Sequence, residues 1–231
     1  MHVKGWVKSS LVDFPGRIAA SLFSGGCNFR CPNCHNADLV LHPNQLPDLD
    51  EEEIWTFLEQ RRGLLDGVVL SGGEPTLQPD LPAFIGRLRQ LGFLVKLDTN
   101  GYLPDLLETT IADRTVDYIA MDVKAPLTKY AQATGIEVDA TRIARSIDLL
   151  RGSEIEYEFR TTVVPGILDE DDIVRIGQRI AGARAYYLQQ FVPRNTLDPA
   201  MLDRQPYPAS RIKAMAELAQ PFVESVWVRG I

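Results

Sequence analysis

Short apolar runs alternate with segments of helical period along most of the chain. Ile18-Ala19-Ala20-Ser21-Leu22-Phe23, Gly67-Val68-Val69-Leu70, Phe93-Leu94-Val95-Lys96-Leu97, Val116 to Met121, Ile155 to Val164 and Ala185 to Phe191 have strand length. Such near-continuous apolar runs are the mark of strands buried on both faces. Between them, Ile54, Phe57 and Leu58, then Phe84, Leu88 and Leu91, then Ile143, Ile147 and Leu150, then Ile173, Ile176 and Ile180 recur at helical spacing. Asp50 and Asp169 stand where they can cap the helices that follow. Leu103 to Ala112 also reads as a helix. A helix around Ile212 to Leu218 and an apolar run from Phe222 to Val228 close the chain. Residues 1–16 read as a short strand and a turn. Residues 38–49, with Pro43 and Pro47, read as loop.

Strand and helix alternate about six times, which predicts parallel strands joined by right-handed crossovers. A complete eight-unit barrel takes about 250 residues, and this chain has 231. The expected architecture is therefore α/β, a partial (β/α)6 barrel of parallel strands with an open mouth; an open doubly wound sheet is the runner-up. One domain is expected over residues 1–231, with its core at about 16–192 and a C-terminal helix and strand within 205–231.

Composition narrows the function classes. With 45% hydrophobic and 24% charged residues the chain is an ordinary soluble globular protein, not disordered or fibrous. A net charge of -7 gives no general attraction to nucleic acid or anionic lipid. No window approaches a membrane span and no apolar core of signal-peptide length opens the chain, so a cytoplasmic protein with reduced cysteines is expected.

All three cysteines fall within the eight residues Cys27-Asn28-Phe29-Arg30-Cys31-Pro32-Asn33-Cys34, just past the first buried strand. Three thiolates can hold an iron-sulfur cluster and leave one iron open to another ligand. With His35 they can instead complete a Cys3His zinc site. Spacing alone leaves both readings standing. Later strands end in Gly72-Gly73-Glu74, Asp98-Thr99-Asn100, Asp122-Val123-Lys124 and Gln189-Gln190, on the side where ligands bind in both architectures. Gly72 and Gly73 permit close approach of a small molecule, and Glu74 offers an acceptor for an ammonium group. Asp122 and Lys124, two apart, share one side of a strand and either meet a zwitterion or pair at the rim. Asp98 and Thr99 offer hard oxygens to a cation or to hydroxyls. Arg160, inside an apolar strand, requires an internal partner or an anion. No acid-base set presents itself, so chemistry would belong to a cofactor.

Cys27-x3-Cys31-x2-Cys34 followed by Gly72-Gly73-Glu74 at the next strand end resembles the radical S-adenosylmethionine superfamily. Cys34-His35-Asn36, Asp98-Thr99-Asn100-Gly101, Asp122-Val123-Lys124 and Val163-Val164-Pro165-Gly166 narrow the likeness to the glycyl-radical-enzyme activases. Ser10-Leu11-Val12-Asp13-Phe14-Pro15-Gly16-Arg17, with the small size, is most similar to the anaerobic ribonucleoside-triphosphate reductase activating proteins. The resemblance covers about Gly5 to Phe191.

It implies a [4Fe-4S] cluster on Cys27, Cys31 and Cys34 whose open iron chelates S-adenosylmethionine. An electron from a flavodoxin or ferredoxin would then yield a 5'-deoxyadenosyl radical, which takes hydrogen from a glycine of a partner enzyme. The implied contacts are Gly72, Gly73 and Glu74 with the methionine amino group, the Asp122-Val123-Lys124 segment with its polar end, and Asn33, Cys34 and His35 near the adenine. Asp98, Thr99 and Asp122 match a monovalent-cation site, and Lys124 and Arg160 are supporting basic groups, Arg160 on the partner side. Two departures stand out: Asn33 replaces a frequent aromatic, and Gln190 with Gln189 occupies the stretch where the activases place a histidine. Two other functions fit parts of the pattern. One is a small-molecule radical enzyme like 7-carboxy-7-deazaguanine synthase; the other is a zinc-binding interaction module without catalysis.

Overall fold

The computed structural model describes residues 1–231. Eight strands form one sheet in the order β1 to β8: Val3–Ser10, Ala19–Ser24, Gly67–Gly72, Leu94–Thr99, Tyr118–Asp122, Glu156–Val163, Tyr186–Gln190 and Val226–Arg229. β1 is antiparallel to β2, and every later neighbour pair is parallel. β1 and β8 do not pair, so the sheet stays open. The helices are α1 Ala37–Leu41, α2 Glu51–Gln60, α3 Leu81–Gln90, α4 Pro104–Ala112, α5 Tyr130–Thr134, α6 Ala140–Arg151, α7 Glu170–Arg179 and α8 Ala209–Ala219. No helix is long and apolar enough to cross a membrane.

Strand order decides between the two expected architectures. A doubly wound sheet reverses its order and carries helices on both faces. Here the order is strictly sequential, and with right-handed crossovers every helix is laid against the same face. The opposite face is left as a concave wall, as in a partial barrel.

Alternation along each strand then sorts its side chains. Leu22, Leu70, Leu97, Met121, Phe159 and Leu188 point to the helices and are fully buried in the main core. Ser21, Lys96, Asp98, Asp122, Glu158 and Arg160 occupy the opposite parity. Phe14 closes the floor of this face, packing with Ala19, Val69, Leu94 and Tyr118. Gly67 makes room for it, because a β-carbon there would stand 2.9 Å from the Phe14 ring.

Helix starts follow the expected chemistry. The Asp50 carboxylate accepts from Glu52 N, and Asp169 with Asp172 forms a capping box. The differences lie at the margins. The sheet has seven parallel strands rather than six, because Val226–Arg229 pairs alongside β7. The 38–49 segment carries most of α1 and a turn of 3-10 helix at Pro43–Gln45; α1 buries only Val40, too little to show a period.

Candidate active site

The cysteine loop leaves β2 through Gly25-Gly26 and lies against the end of β3. Gly72 has φ +115°, and a β-carbon on Gly73 would stand 1.9 Å from the Gly26 carbonyl oxygen. Two hydrogen bonds tie the turns together, from Gly73 N to Ser24 O at 2.9 Å and from Glu74 N to Gly26 O at 2.8 Å. A cavity of about 210 Å³ opens here. Cys27, Cys31, Cys34, Asn33, His35, Gly72, Gly73, Glu74, Asp98, Thr99, Asp122, Lys124 and Arg160 all line it.

All three cysteines are free thiols. Burial pushes the Cys27 thiol up to about 11, against a hydrogen bond from Phe29 N that favours the thiolate. Cys31 is pushed up by burial as well. Buried thiols of this kind ionise when a metal centre supplies the positive charge. No three His, Cys, Asp or Glu side chains converge on a position for a single ion. His35 directs Nε2 to the Val192 carbonyl at 2.9 Å. The donor set therefore suits a multinuclear cluster, whose cysteines bind separate irons, better than a Cys3His zinc ion.

Glu74 does not stand open as an ammonium acceptor. The residue is 1% exposed. Oε1 accepts from Thr76 N at 3.2 Å, Thr76 Oγ1 at 2.6 Å and Thr99 Oγ1 at 2.8 Å, while Oε2 accepts from Asn100 N at 2.7 Å. Burial raises its pKa and these hydrogen bonds oppose the rise. Glu74 thus braces the end of β3 to the end of β4. The Gly72 carbonyl accepts from Asn36 Nδ2 at 2.9 Å.

A chain of alternating charges crosses the concave wall. Lys96 pairs with Asp98; Asp98 Oδ2 is 3.3 Å from Arg160 Nη1 and accepts from Ser71 Oγ at 3.1 Å. Arg160 Nε donates to Asp122 Oδ1 at 2.8 Å, and Lys124 Nζ donates to Asp122 Oδ2 at 2.9 Å. Burial alone would raise the Asp122 carboxyl; Arg160 and Lys124 outweigh it and hold the group below the usual carboxylate range. Asp98 is likewise lowered against burial by Arg160 and Lys96. Burial lowers the pKa of Lys96, with Asp98 opposing. Lys124 is raised by Asp122 and Cys31 despite its burial. Lower on the wall, Arg229 makes two bonds to Glu158, at 2.7 and 2.9 Å, and Tyr118 donates to the same carboxylate at 2.9 Å.

Several expected roles shift. Asp122 and Lys124 form the rim pair, and Arg160 is an internal ion-pair partner rather than a free basic group. Asp98 and Asp122 are matched by side-chain cations, and the Thr99 hydroxyl turns to Glu74. Gln190 does not line the cavity. It shares the helix-facing parity of Tyr186 and Leu188, and its Nε2 donates to Tyr207 O at 2.7 Å. Val123 also takes that parity, is 1% exposed, and reaches only a smaller adjoining cavity. Asn36, Ser71, Lys96 and Asn100 are site residues to which the sequence reading gave no role. For Lys96 the signal was present, since Val95-Lys96-Leu97-Asp98 alternates within its strand.

Residues 21–176 match the Radical SAM superfamily. A Methanocaldococcus jannaschii protein that carries the name of a glycyl-radical enzyme activating enzyme is 34% identical over 235 positions, covering 99% of this chain and 96% of its own. The pyruvate formate-lyase-activating enzyme of Staphylococcus aureus is 31% identical over 193 positions, covering 78% of this chain and 75% of its own. Among solved structures, a domain of pyruvate-formate lyase-activating enzyme from Bacteroides vulgatus shares the fold, with a TM-score of 0.56 at 17% identity over 71% of this chain and 99% of that one. The chain belongs to the radical SAM superfamily, among its glycyl-radical enzyme activating members.

Proposed function

We propose that this protein generates a glycyl radical on a partner enzyme, and that the partner is an anaerobic ribonucleoside-triphosphate reductase. The observation that carries the reading is the meeting, in one cavity, of three free cysteines on one loop with the Gly72-Gly73 turn packed against that loop. Cys27, Cys31 and Cys34 would hold a [4Fe-4S] cluster. Bound together, the cluster and S-adenosylmethionine supply a 5'-deoxyadenosyl radical by one-electron cleavage of a sulfonium carbon-sulfur bond.

The chain's own residues bind and orient. The Gly73 carbonyl, which takes no hydrogen bond within the chain, is the acceptor we assign to the methionine amino group, held in place by the buried Glu74 brace. Lys124 and Arg160 are the Lys and Arg side chains that line the cavity, so the methionine carboxylate is assigned to their side of it. Lys124, beside Cys31 in the cavity, is its nearest cation in this reading. Asn33 and His35 are left for the adenine side. A monovalent cation is not part of the proposal, because side-chain cations already match both carboxylates. The electron would come from a flavodoxin or ferredoxin in a reducing cytoplasm.

The open sheet and uncapped mouth favour a protein loop over a small enclosed substrate. Similarity through Ser10 to Arg17 supports the reductase as the partner. The test is anaerobic reconstitution, reduction, and incubation with S-adenosylmethionine and the reductase, followed by electron paramagnetic resonance. A glycyl doublet formed with 5'-deoxyadenosine, and lost in Cys31→Ala, is expected. A doublet on pyruvate formate-lyase alone would reassign the partner, and cluster-free protein with tight zinc would overturn the reading.

A further inference from the structure

We infer that Asn100 is a positioning residue that raises the reduction potential of the cluster through Cys27, an inference that rests on the three-cysteine cluster reading. Asn100 directly follows β4, lines the cavity and is buried. Its backbone N–H donates to Glu74 Oε2 at 2.7 Å, and its side-chain oxygen accepts from Tyr102 N at 3.0 Å. These two bonds orient the amide, leaving Nδ2 to face the cysteine loop. There Nδ2 donates to Asn28 Oδ1 at 2.8 Å and lies 3.9 Å from Cys27 Sγ.

Cys27 Sγ also accepts from Phe29 N at 3.3 Å, so one sulfur faces donors from its own loop and from a strand end 73 residues away. Asn28 Nδ2 is buried with no acceptor in the chain, so the amide pair carries a donor the protein alone does not satisfy. Donors to a cysteinyl sulfur favour the more negatively charged, reduced cluster and raise its potential. Glu74 thereby acts at a distance, holding the strand end that aims Asn100 at the loop.

The experiment is a redox titration of the reconstituted protein, without any partner enzyme, followed by electron paramagnetic resonance, with iron and sulfide measured on each sample. Asn100→Ala should keep the cluster and shift its reduction equilibrium about tenfold toward the oxidised form, about 59 mV more negative for one electron. Asn100→Asp should shift it further, since a donor becomes an anion. Asn28→Ala, which breaks the amide pair from the loop side, should move it less but in the same direction. An unchanged potential in Asn100→Ala with an intact cluster overturns the inference. If that variant loses its cluster, an unchanged potential in Asn28→Ala overturns it. Wild-type protein that binds no cluster would sink the functional reading as well, whereas the expected shift here, together with no glycyl doublet in the separate assay with the reductase, would sink only the assignment of the partner.

Discussion

Gly73 and Gly26 meet backbone to backbone, with no space between them for a side chain: a β-carbon on Gly73 would stand 1.9 Å from the Gly26 oxygen. Neither partner is a flexible side-chain end, so one turn must move. Gly73→Ala should therefore destabilise the fold by at least about 2 kcal/mol and loosen the cysteine loop. Thermal unfolding measures this. Gly86→Ala in α3, where nothing lies within 4 Å, is the matched control, expected to be neutral or stabilising by up to about 1 kcal/mol. Equal losses in both variants would contradict the steric account.

Glu74→Gln replaces an all-acceptor group with one that carries two donors. Thr76, Thr99 and Asn100 already aim donors at both oxygens, so an amide nitrogen must face a donor it cannot accept from. A loss of about 1–3 kcal/mol is expected, read from denaturant unfolding. Unchanged stability would mean that the carboxylate does not brace the two strand ends.

Cys31→Ala and Lys124→Ala should separate cluster from ligand. Cys31→Ala is expected to remain folded but lose the iron and sulfide complement, measured chemically after reconstitution. Lys124→Ala should retain both and weaken S-adenosylmethionine binding about tenfold or more, the scale of one charged hydrogen bond. Equilibrium binding checks it; unaltered affinity would remove Lys124 from the ligand site.

Acid should act through Asp98 and Asp122. Both carboxyls are held below their ordinary value of 3.8 in the folded protein, so the unfolded chain binds their protons more readily. Their stabilisation is complete above that value and is lost as pH falls from it toward the lowered folded values. Asp122→Asn should be less stable than wild type at neutral pH, with the gap narrowing as pH falls from about 4 to about 2. Melting temperatures across that window test it. A constant gap would show that the contribution of Asp122 does not depend on its ionisation.

Much of this could be read from residue order because the parallel strands are short apolar runs, each ending in polar residues. The cysteine loop, Gly72-Gly73-Glu74, Asp98 and Asp122 fell at the expected ends because a parallel sheet places successive strand ends on one side. Side-chain parity was harder. Gln189 and Gln190 are chemically identical, and only the apolar partners Tyr186 and Leu188 reveal that Gln190 faces the helices. The role of Glu74 was not legible, since its saturation depends on Thr99 and Asn100, 25 and 26 residues away. The C-terminal strand was legible in the run from Phe222 to Val228, but its pairing beside β7 as a seventh parallel strand was not.

Phe14 gives the cavity wall a further property. Its ring, 5.9 Å from that of Tyr118, is buried against Ala19 and Val69 at the amino-terminal end of the sheet, while the cysteines sit past the carboxyl ends of the same strands. The concave face is therefore apolar at one end and charged at the other. The same segment that resembles the activating proteins in sequence thus gives the wall a polarity along the strands, leaving the cysteine end as the one furnished with groups for a polar ligand.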